Sequence, residues 1–166
     1  RIAVLRKVDA AHQKEMETQA KYSHLFNNMP ILYMQERVVF DAQGTAIDTV
    51  YVDVNAHFER SFYPLDEVAG KSGSTVFPES MPQFMPIIDI VLKEKRSVTF
   101  PYYHKPVNIF YEVVICPSYQ QDTVDIFCID STALHDAQKK VDSVNRKLAL
   151  ALDVANIIPV SYTHLR

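Results

Sequence analysis

The stretch from Thr123 to Lys140 constrains the fold most strongly, because a buried-strand pattern passes there directly into a helix pattern. Apolar residues alternate at a period of two in its first half, with Val124, Ile126 and Cys128 on one side and Phe127 and Ile129 on the other. The side chains of Asp130, Ser131 and Thr132 then favour a helix start, because they hydrogen-bond nearby backbone. We therefore predict a core strand joined to a helix by a polar hinge, in which Asp130 and Thr132 transfer signals.

The helix after this hinge has a heptad pattern. Its apolar positions recur at spacings of three and four: Leu134, Ala137, Val141, Val144, Leu148, Ala151 and Ala155. This spacing is typical of a coiled coil and predicts a parallel homodimer. The contacts would come from the larger residues, Leu134, Val141, Val144 and Leu148. We call this row of residues the seam. Its alanines offer little apolar surface to a partner helix, so we expect weak dimerisation. A single helix packed back onto its own sheet is the alternative.

Upstream of the hinge, strand and helix signals predict most of the fold. A helix with a thin apolar stripe covers 1–22, either continuing from an upstream module or packed on the core, and Ser23 caps a short turn that ends at Pro30. The later elements are strands at 31–41 and 47–54, short helices after Asn55 and at 66–71, a loop at 72–76, a helix over 78–95 that is regular from about Gln83, and strands at 97–103, 108–118 and 123–129. This order predicts an α+β fold, with a five-stranded antiparallel sheet and helices on one face.

Composition narrows the function classes. With 48% hydrophobic residues among 166, the chain can bury a core. The net charge is -3 and no basic block occurs, so nucleic acid is not an expected partner. No apolar run approaches the roughly 20 residues of a membrane span, and no direct membrane contact is expected. Cys116 and Cys128 are expected to be free thiols on neighbouring strands. Because the chain begins with Arg1, we expect it to be a piece of a longer protein.

Four short motifs, in order along the chain, resemble those of a PAS domain. They are the turn Asp41–Gly44 after the first strand, the segment Val54–Glu59 that resembles "VNxAFE", the segment Glu67–Lys71 that resembles "EvxGk" and precedes Val76–Pro78, and the D-x-T sequence Asp130–Thr132. The resemblance covers about 22–134. It implies a cytoplasmic sensory or interaction module of a signalling protein, most commonly a bacterial and often hybrid sensor histidine kinase.

The resemblance also implies a division of the chain. We expect a linker helix at 1–21, the PAS domain at 22–132 and a coiled-coil-like linker helix at 133–158. Residues 148–159 resemble a linker into another PAS-type module, so neighbouring PAS or kinase modules of the same chain are expected partners. Residues 159–166 continue neither the heptad nor a strand, and we expect them to be a disordered or non-native tail.

A PAS cavity would lie between the sheet and the short helices. Its candidate lining residues are Tyr33, Phe58, Phe62, Phe84, Ile88, Phe100, Tyr102, Tyr111, Val113 and Ile115. These aromatic and apolar residues would form an apolar pocket in which phenolic hydroxyls orient a small molecule. The alternative is that the same rings fill a closed core.

No covalent or metal cofactor is predicted. The resemblance to haem-binding PAS domains would require a histidine on the helix at 78–95, which has none, and the flavin type would require a cysteine between Asn55 and Gly70. No metal-ligand spacing, phosphate-binding loop or catalytic triad order is present, so the segment is not expected to be an enzyme. His57 and Glu59 are two apart on a helix and therefore face apart.

Three functions remain open from the sequence. The first is a PAS module that relays a ligand or conformational signal through the D-x-T hinge to the C-terminal helix. The second is a ligand-free structural module for dimerisation or spacing. The third is a small-molecule-binding α+β domain with enzymatic use, which a polar constellation inside the cavity would favour.

Overall fold

Helices and strands follow one another in the predicted order in the computed structural model, which describes residues 2–157 of the chain. The elements are α1 (Ile2–Asn28), β1 (Leu32–Phe40), β2 (Ala46–Val54), α2 (Ala56–Ser61), α3 (Leu65–Val68), α4 (Gly73–Val76), α5 (Met81–Glu94), β3 (Val98–His104), a short 3-10 helix (Lys105–Val107), β4 (Ile109–Pro117), β5 (Thr123–Asp130) and α6 (Thr132–Ile157). The α+β class is confirmed. The tail predicted at 159–166 lies outside the described residues.

Five antiparallel strands form one sheet in the order β2-β1-β5-β4-β3. The first and last strands along the chain, β1 and β5, therefore pair side by side at its centre. In this pair Leu32 lies opposite Cys128, and Glu36 lies opposite Val124. Helices α2 to α5 connect β2 to β3. Of these, α2 contacts β1, α3 and α4 contact β2, and α5 contacts both β2 and β4.

The core lies between this sheet and α5. Alternation along β4 buries Tyr111, Val113 and Ile115 and leaves Glu112 exposed, which is the orientation predicted from the sequence. The core residues of β5 and α5 are Val124, Ile126, Cys128, Phe84, Ile88 and Val91. The period of two in β5 and the three-to-four spacing in α5 place these side chains on facing surfaces.

Asn55 connects three elements from a fully buried position. Its Oδ1 accepts hydrogen bonds from the N–H of Phe58, at 3.0 Å, and of Tyr33, at 3.2 Å. Its Nδ2 donates to the carbonyl oxygens of Ile31, at 2.9 Å, and Phe26, at 3.3 Å. The sequence predicted only the helix cap, whereas the side chain also joins the end of α1 and the start of β1 to α2.

The first helix is longer than predicted. It continues through Ser23 to Asn28, so Ser23 does not cap a separate turn and the predicted boundary at residue 22 falls inside α1. A serine on an exposed helix surface has only a small helix penalty, and the stronger stop signal is Pro30, two residues beyond the end.

The loop predicted at 72–76 contains the one-turn helix α4. A Cβ on Gly73 would collide with Thr49 Oγ1 and lie 2.9 Å from the sulfur of Met81, so the glycine allows α4 to pack directly on β2. Helix α5 begins at Met81, two residues ahead of its predicted regular start. Pro82 is tolerated there because backbone N–H groups in a first turn have no intrahelical acceptor.

The two terminal helices project from the sheet. Neither α1 nor the described side chains of α6, residues 132–155, include a buried residue. α1 contacts α2, and α6 contacts β4. Within residues 2–157, no helix combines the length and apolar character needed to cross a membrane.

Candidate functional site

A cavity of about 40 Å³ lies between the inner face of the sheet and the helices. Its walls include seven phenylalanine and tyrosine rings, those of Tyr51, Phe58, Phe62, Phe77, Phe84, Tyr102 and Tyr111. Phe58 packs against Phe62 at a centroid distance of 5.5 Å, and Phe62 packs edge-on against Phe77 at 5.2 Å. Tilted and edge-on ring contacts of this kind fill space closely, which explains why the remaining volume is small.

Five of the ten predicted lining residues line this cavity: Phe58, Phe62, Phe84, Tyr102 and Tyr111. Ile88, Val113 and Ile115 are fully buried in the core, and none of the three lines the cavity. Phe100 is half-buried and packs edge-on against Phe84 at 5.3 Å.

Tyr33 does not line the cavity, and this prediction is corrected. Along β1, Leu32 and Met34 point inward, so Tyr33 between them faces the opposite side of the sheet. There its hydroxyl donates a hydrogen bond of 2.8 Å to Asp125 Oδ1, and its ring packs on Phe127 at 5.2 Å. Burial, assisted by the Asp125 carboxylate, raises the pKa of this phenol.

The cavity contains a carboxyl group that the sequence analysis missed. Glu36 is only 2% exposed, lines the cavity, and has no hydrogen-bond partner at Oε2. Burial raises the pKa of Glu36 from an ordinary value of 4.5 to about 7. The hydroxyls of Thr49 and Tyr51 oppose this rise, and Asp48 adds to it. Its place in the alternation after Leu32 and Met34 was the signal that could have identified it as inward-facing.

A second polar group in the wall comes from the start of α5 and from β3. Ser80 Oγ and Tyr102 Oη are hydrogen-bonded at 2.7 Å, and Tyr102 Oη lies 3.2 Å from His104 Nδ1. The same nitrogen is 3.8 Å from Glu79 Oε1. Burial lowers the pKa of His104, with Glu79 acting in the opposite direction. Ser80, Tyr102 and His104 thus form one hydrogen-bonded chain in the cavity wall.

Residues 2–157 contain no group of three or more histidine, cysteine, aspartate or glutamate residues that could hold a metal ion. Both cysteines are free, and burial raises the pKa of Cys128 to about 12. The Cys128 thiol, which lines the cavity, is therefore protonated at neutral pH.

Several solved structures are similar to this chain. A sensory box sensor histidine kinase from Vibrio cholerae aligns with 19% identity and a TM-score of 0.49 over 72% of this chain and 97% of that one. The PAS domain of an HTR-like protein from Haloarcula marismortui aligns with 20% identity and a TM-score of 0.48 over 74% and 98%. An RNA-binding light-oxygen-voltage receptor aligns with 16% identity and a TM-score of 0.55 over 86% of this chain and 39% of that one.

Three observations point to the same fold. They are the sheet order, the helices inserted between β2 and β3 on one face, and the alignment over 86% of the chain. The chain has the PAS fold. At identities of 16–20%, the shared property is the fold. No protein-family model and no curated protein sequence matches the chain.

The D-x-T sequence of this PAS fold forms the junction between β5 and α6. Asp130 Oδ1 accepts a hydrogen bond of 2.9 Å from the N–H of Thr132, which stays within the turn. Thr132 Oγ1 accepts one of 3.1 Å from the N–H of Phe110 in β4. Ser131 donates to the carbonyl oxygen of Phe110 from its N–H, at 2.8 Å, and from its Oγ, at 3.1 Å. The links to the neighbouring strand therefore come from Ser131 and Thr132, and Ser131 was not among the predicted site residues.

An aromatic stack reinforces this junction of the PAS fold. The ring of His135, in the first turn of α6, lies on the ring of Phe110 at a centroid distance of 3.6 Å. On β3, Tyr103 stacks with Phe110 at 4.5 Å, and Lys139 Nζ is 5.4 Å from the centre of the Phe110 ring. The start of α6 is thus fixed to β4 by both hydrogen bonds and ring contacts.

Beyond its first turns, α6 leaves the PAS sheet. The four larger seam residues are each more than half exposed: Leu134, Val141, Val144 and Leu148. The alternative in which this helix packs back along its own sheet is therefore not what the structure shows. Contact of these residues with the α6 helix of a second copy stays a prediction.

Proposed function

We propose that this PAS domain is a non-catalytic sensory and relay module of a larger signalling protein, with a bacterial, cytoplasmic sensor histidine kinase as the parent. The observation that supports it most is the junction between β5 and α6. One continuous segment leads from the centre of the sheet into a helix whose first turn is attached to β4. A shift of β4 against β5 would change the direction in which α6 leaves the domain, because the helix start is bonded to both strands.

The proposed route for the signal runs from the cavity to this junction through short covalent paths. Cys128 lines the cavity and lies two residues before Asp130 in β5. In β4, Tyr111 lines the cavity and directly follows Phe110, the strand residue to which Ser131 is bonded. A change of occupancy at the cavity wall would therefore act on both strands that hold the helix.

A ligand-free relay or spacer is the second candidate, and the size of the cavity favours it. About 40 Å³ is far below the volume of roughly 300 Å³ at which pockets for drug-sized molecules begin. In that case strain entering through α1 or a neighbouring module would replace ligand binding as the input.

We predict that the double substitution Ser131→Ala and Thr132→Val weakens the junction more than Asp130→Ala does. The double variant loses the Ser131 Oγ and Thr132 Oγ1 bonds to β4, at about 1 kcal/mol each. Together they amount to about 2 kcal/mol, so hydrogen exchange measured by mass spectrometry should become roughly 30-fold faster over 133–140. Asp130→Ala removes one bond inside the turn and should have a smaller effect.

Ser143→Ala, on the exposed surface of α6, is the matched control and should leave this exchange unchanged. The strands β1, β4 and β5 should keep their protection in every variant, which separates loosening of the helix from unfolding. Equal protection of 133–140 in the wild type and the double variant would contradict the relay.

We also propose that the chain dimerises through the heptad seam of α6 and that neighbouring modules of the same chain adjoin this helix. We predict that Val144→Asp on the seam raises the dimer dissociation constant at least tenfold, because two like charges then meet in an apolar contact. Sedimentation equilibrium would measure it. Ser143→Asp adds the same charge one residue away from the seam and should change little. Equal effects of the two substitutions would show that the seam is not the dimer contact.

A further inference from the structure

The carboxyl group of Glu36 is an exception in this cavity. In folded proteins the large majority of buried polar side-chain atoms have a hydrogen-bond partner. Glu36 Oε2 and Thr49 Oγ1 are both buried and have none, although they come from the adjacent strands β1 and β2. An unpaired buried carboxyl oxygen costs about 1–3 kcal/mol, and more when it is charged. A ligand that donates a hydrogen bond to Glu36 Oε2 would remove this cost.

The chemistry of the walls selects the sign of that group. Phe58 is fully buried, and its ring centre lies 6.0 Å from that of Tyr51 and 6.3 Å from that of Phe77. Aromatic faces attract cations, and a carboxylate does so more strongly. No lysine or arginine is among the described residues that line the cavity, so an anion would find no opposite charge there.

The volume of the cavity limits the size of the group. One water-sized probe position requires about 10–15 Å³, so 40 Å³ corresponds to roughly three non-hydrogen atoms. Met34 and Met81, whose unbranched side chains adapt readily, stand in the wall and can widen the space slightly. Methylammonium and ethylammonium have the matching size.

We propose that the cavity is a binding site for a small primary ammonium ion, with the ammonium group at Glu36 Oε2 and its alkyl carbons among the aromatic rings. This deepens the sensory function proposed above and rests on it, since it names the class of molecule that the module would detect. Bound ammonium donates a hydrogen bond to Glu36 Oε2, the oxygen that has no partner, and its charge stabilises the carboxylate form of the side chain. The cavity is adjacent through Tyr111 to the strand residue that holds α6.

The test is a titration of the ¹⁵N-labelled chain with methylammonium chloride, followed by NMR, with sodium chloride at matched ionic strength as the reference. We expect saturable shifts at the amides of Glu36, Tyr51 and Cys128, with a dissociation constant in the millimolar range or below. Methanol and ethanol, which are neutral and of similar size, should bind at least tenfold more weakly. This comparison uses the wild-type protein alone, so it does not depend on whether a variant folds.

Glu36→Gln should raise the dissociation constant for methylammonium at least tenfold, because the amide has no charge. Glu112→Gln, which removes a carboxylate from the outward-facing side of β4, should leave it unchanged. Shifts that do not saturate, or equal binding of alcohol and ammonium, would overturn the proposal. If binding fails while the exchange result at the junction holds, only the ligand class is wrong. Failure of the exchange result with binding intact would overturn the relay instead.

Discussion

Replacing Asn55 by Ala should lower the free energy of unfolding by about 4 kcal/mol. The substitution removes four hydrogen bonds from a fully buried position. It also leaves the N–H of Tyr33 without its side-chain acceptor and removes the cap of α2. Net losses of about 1 kcal/mol per bond, with a further cost for each unpaired buried group, lead to this size. Urea denaturation followed by circular dichroism would measure it.

Asn27→Ala is the matched control for this prediction. Asn27 also accepts a hydrogen bond from the start of α2, from the N–H of Ala56 at 3.2 Å, but it is exposed and makes a single such contact. Its replacement should cost less than about 1 kcal/mol. Because Asn55 bonds to Phe26, its loss should also speed hydrogen exchange in the last turn of α1. Equal losses of stability for the two variants would show that the buried network does not hold α1, β1 and α2 together.

Glu36→Gln should remove a fall in stability that the wild-type protein undergoes between about pH 4.5 and pH 7. Burial raises the pKa of Glu36 to about 7 in the folded state, above its ordinary value of 4.5. In this range the folded chain therefore binds more protons than the unfolded chain, and stability falls as the pH rises. The shift corresponds to about 3 kcal/mol, all of it lost above pH 7. Glutamine does not titrate, so the variant lacks this fall.

The quantity to measure is the difference in free energy of unfolding between wild type and variant, by urea denaturation from pH 4.5 to pH 8. It should change by about 3 kcal/mol in favour of the variant as the pH rises. Because the pKa of His104 is lowered, this residue makes the folded protein more stable as the pH rises towards 6.5. His104 is present in both proteins, so its contribution cancels from the difference. Glu112→Gln, at an exposed position, should give a flat difference. A flat difference for Glu36→Gln as well would show that this carboxyl is not held in a desolvated site.

The order of the elements could be predicted because local signals agree with the packing. Alternation in β4 and β5, the glycine turn near Gly44 and the cap at Asn55 each correspond to a feature that the folded chain uses. The end of α1 was wrong because an exposed serine neither starts nor stops a helix on its own. The one-turn helix α4 was missed because it depends on contact with Thr49, which is distant in sequence.

The candidate site was less predictable, because it depends on which strand face turns inward. Tyr33 and Glu36 have opposite orientations in β1. The aromatic ring of Tyr33 suggested a cavity residue although its position in the alternation faces outward, and no prediction was made for Glu36, which faces inward. The role of Ser131 was also missed, since its partner Phe110 lies 21 residues away and becomes adjacent only when β4 pairs with β5. Local motifs identified the junction, and the sheet register determined which residues hold it.

The central position of β1 and β5 has a mechanical consequence. α1 precedes β1 and α6 follows β5, so both helices leave from the same end of two adjacent antiparallel strands, where Leu32 faces Cys128. A force that pulls the helices apart would break the hydrogen-bonded pairs between β1 and β5 one after another from this end, rather than all at once. The module would then yield gradually under small tension, starting at the Leu32–Cys128 end, where both residues line the cavity.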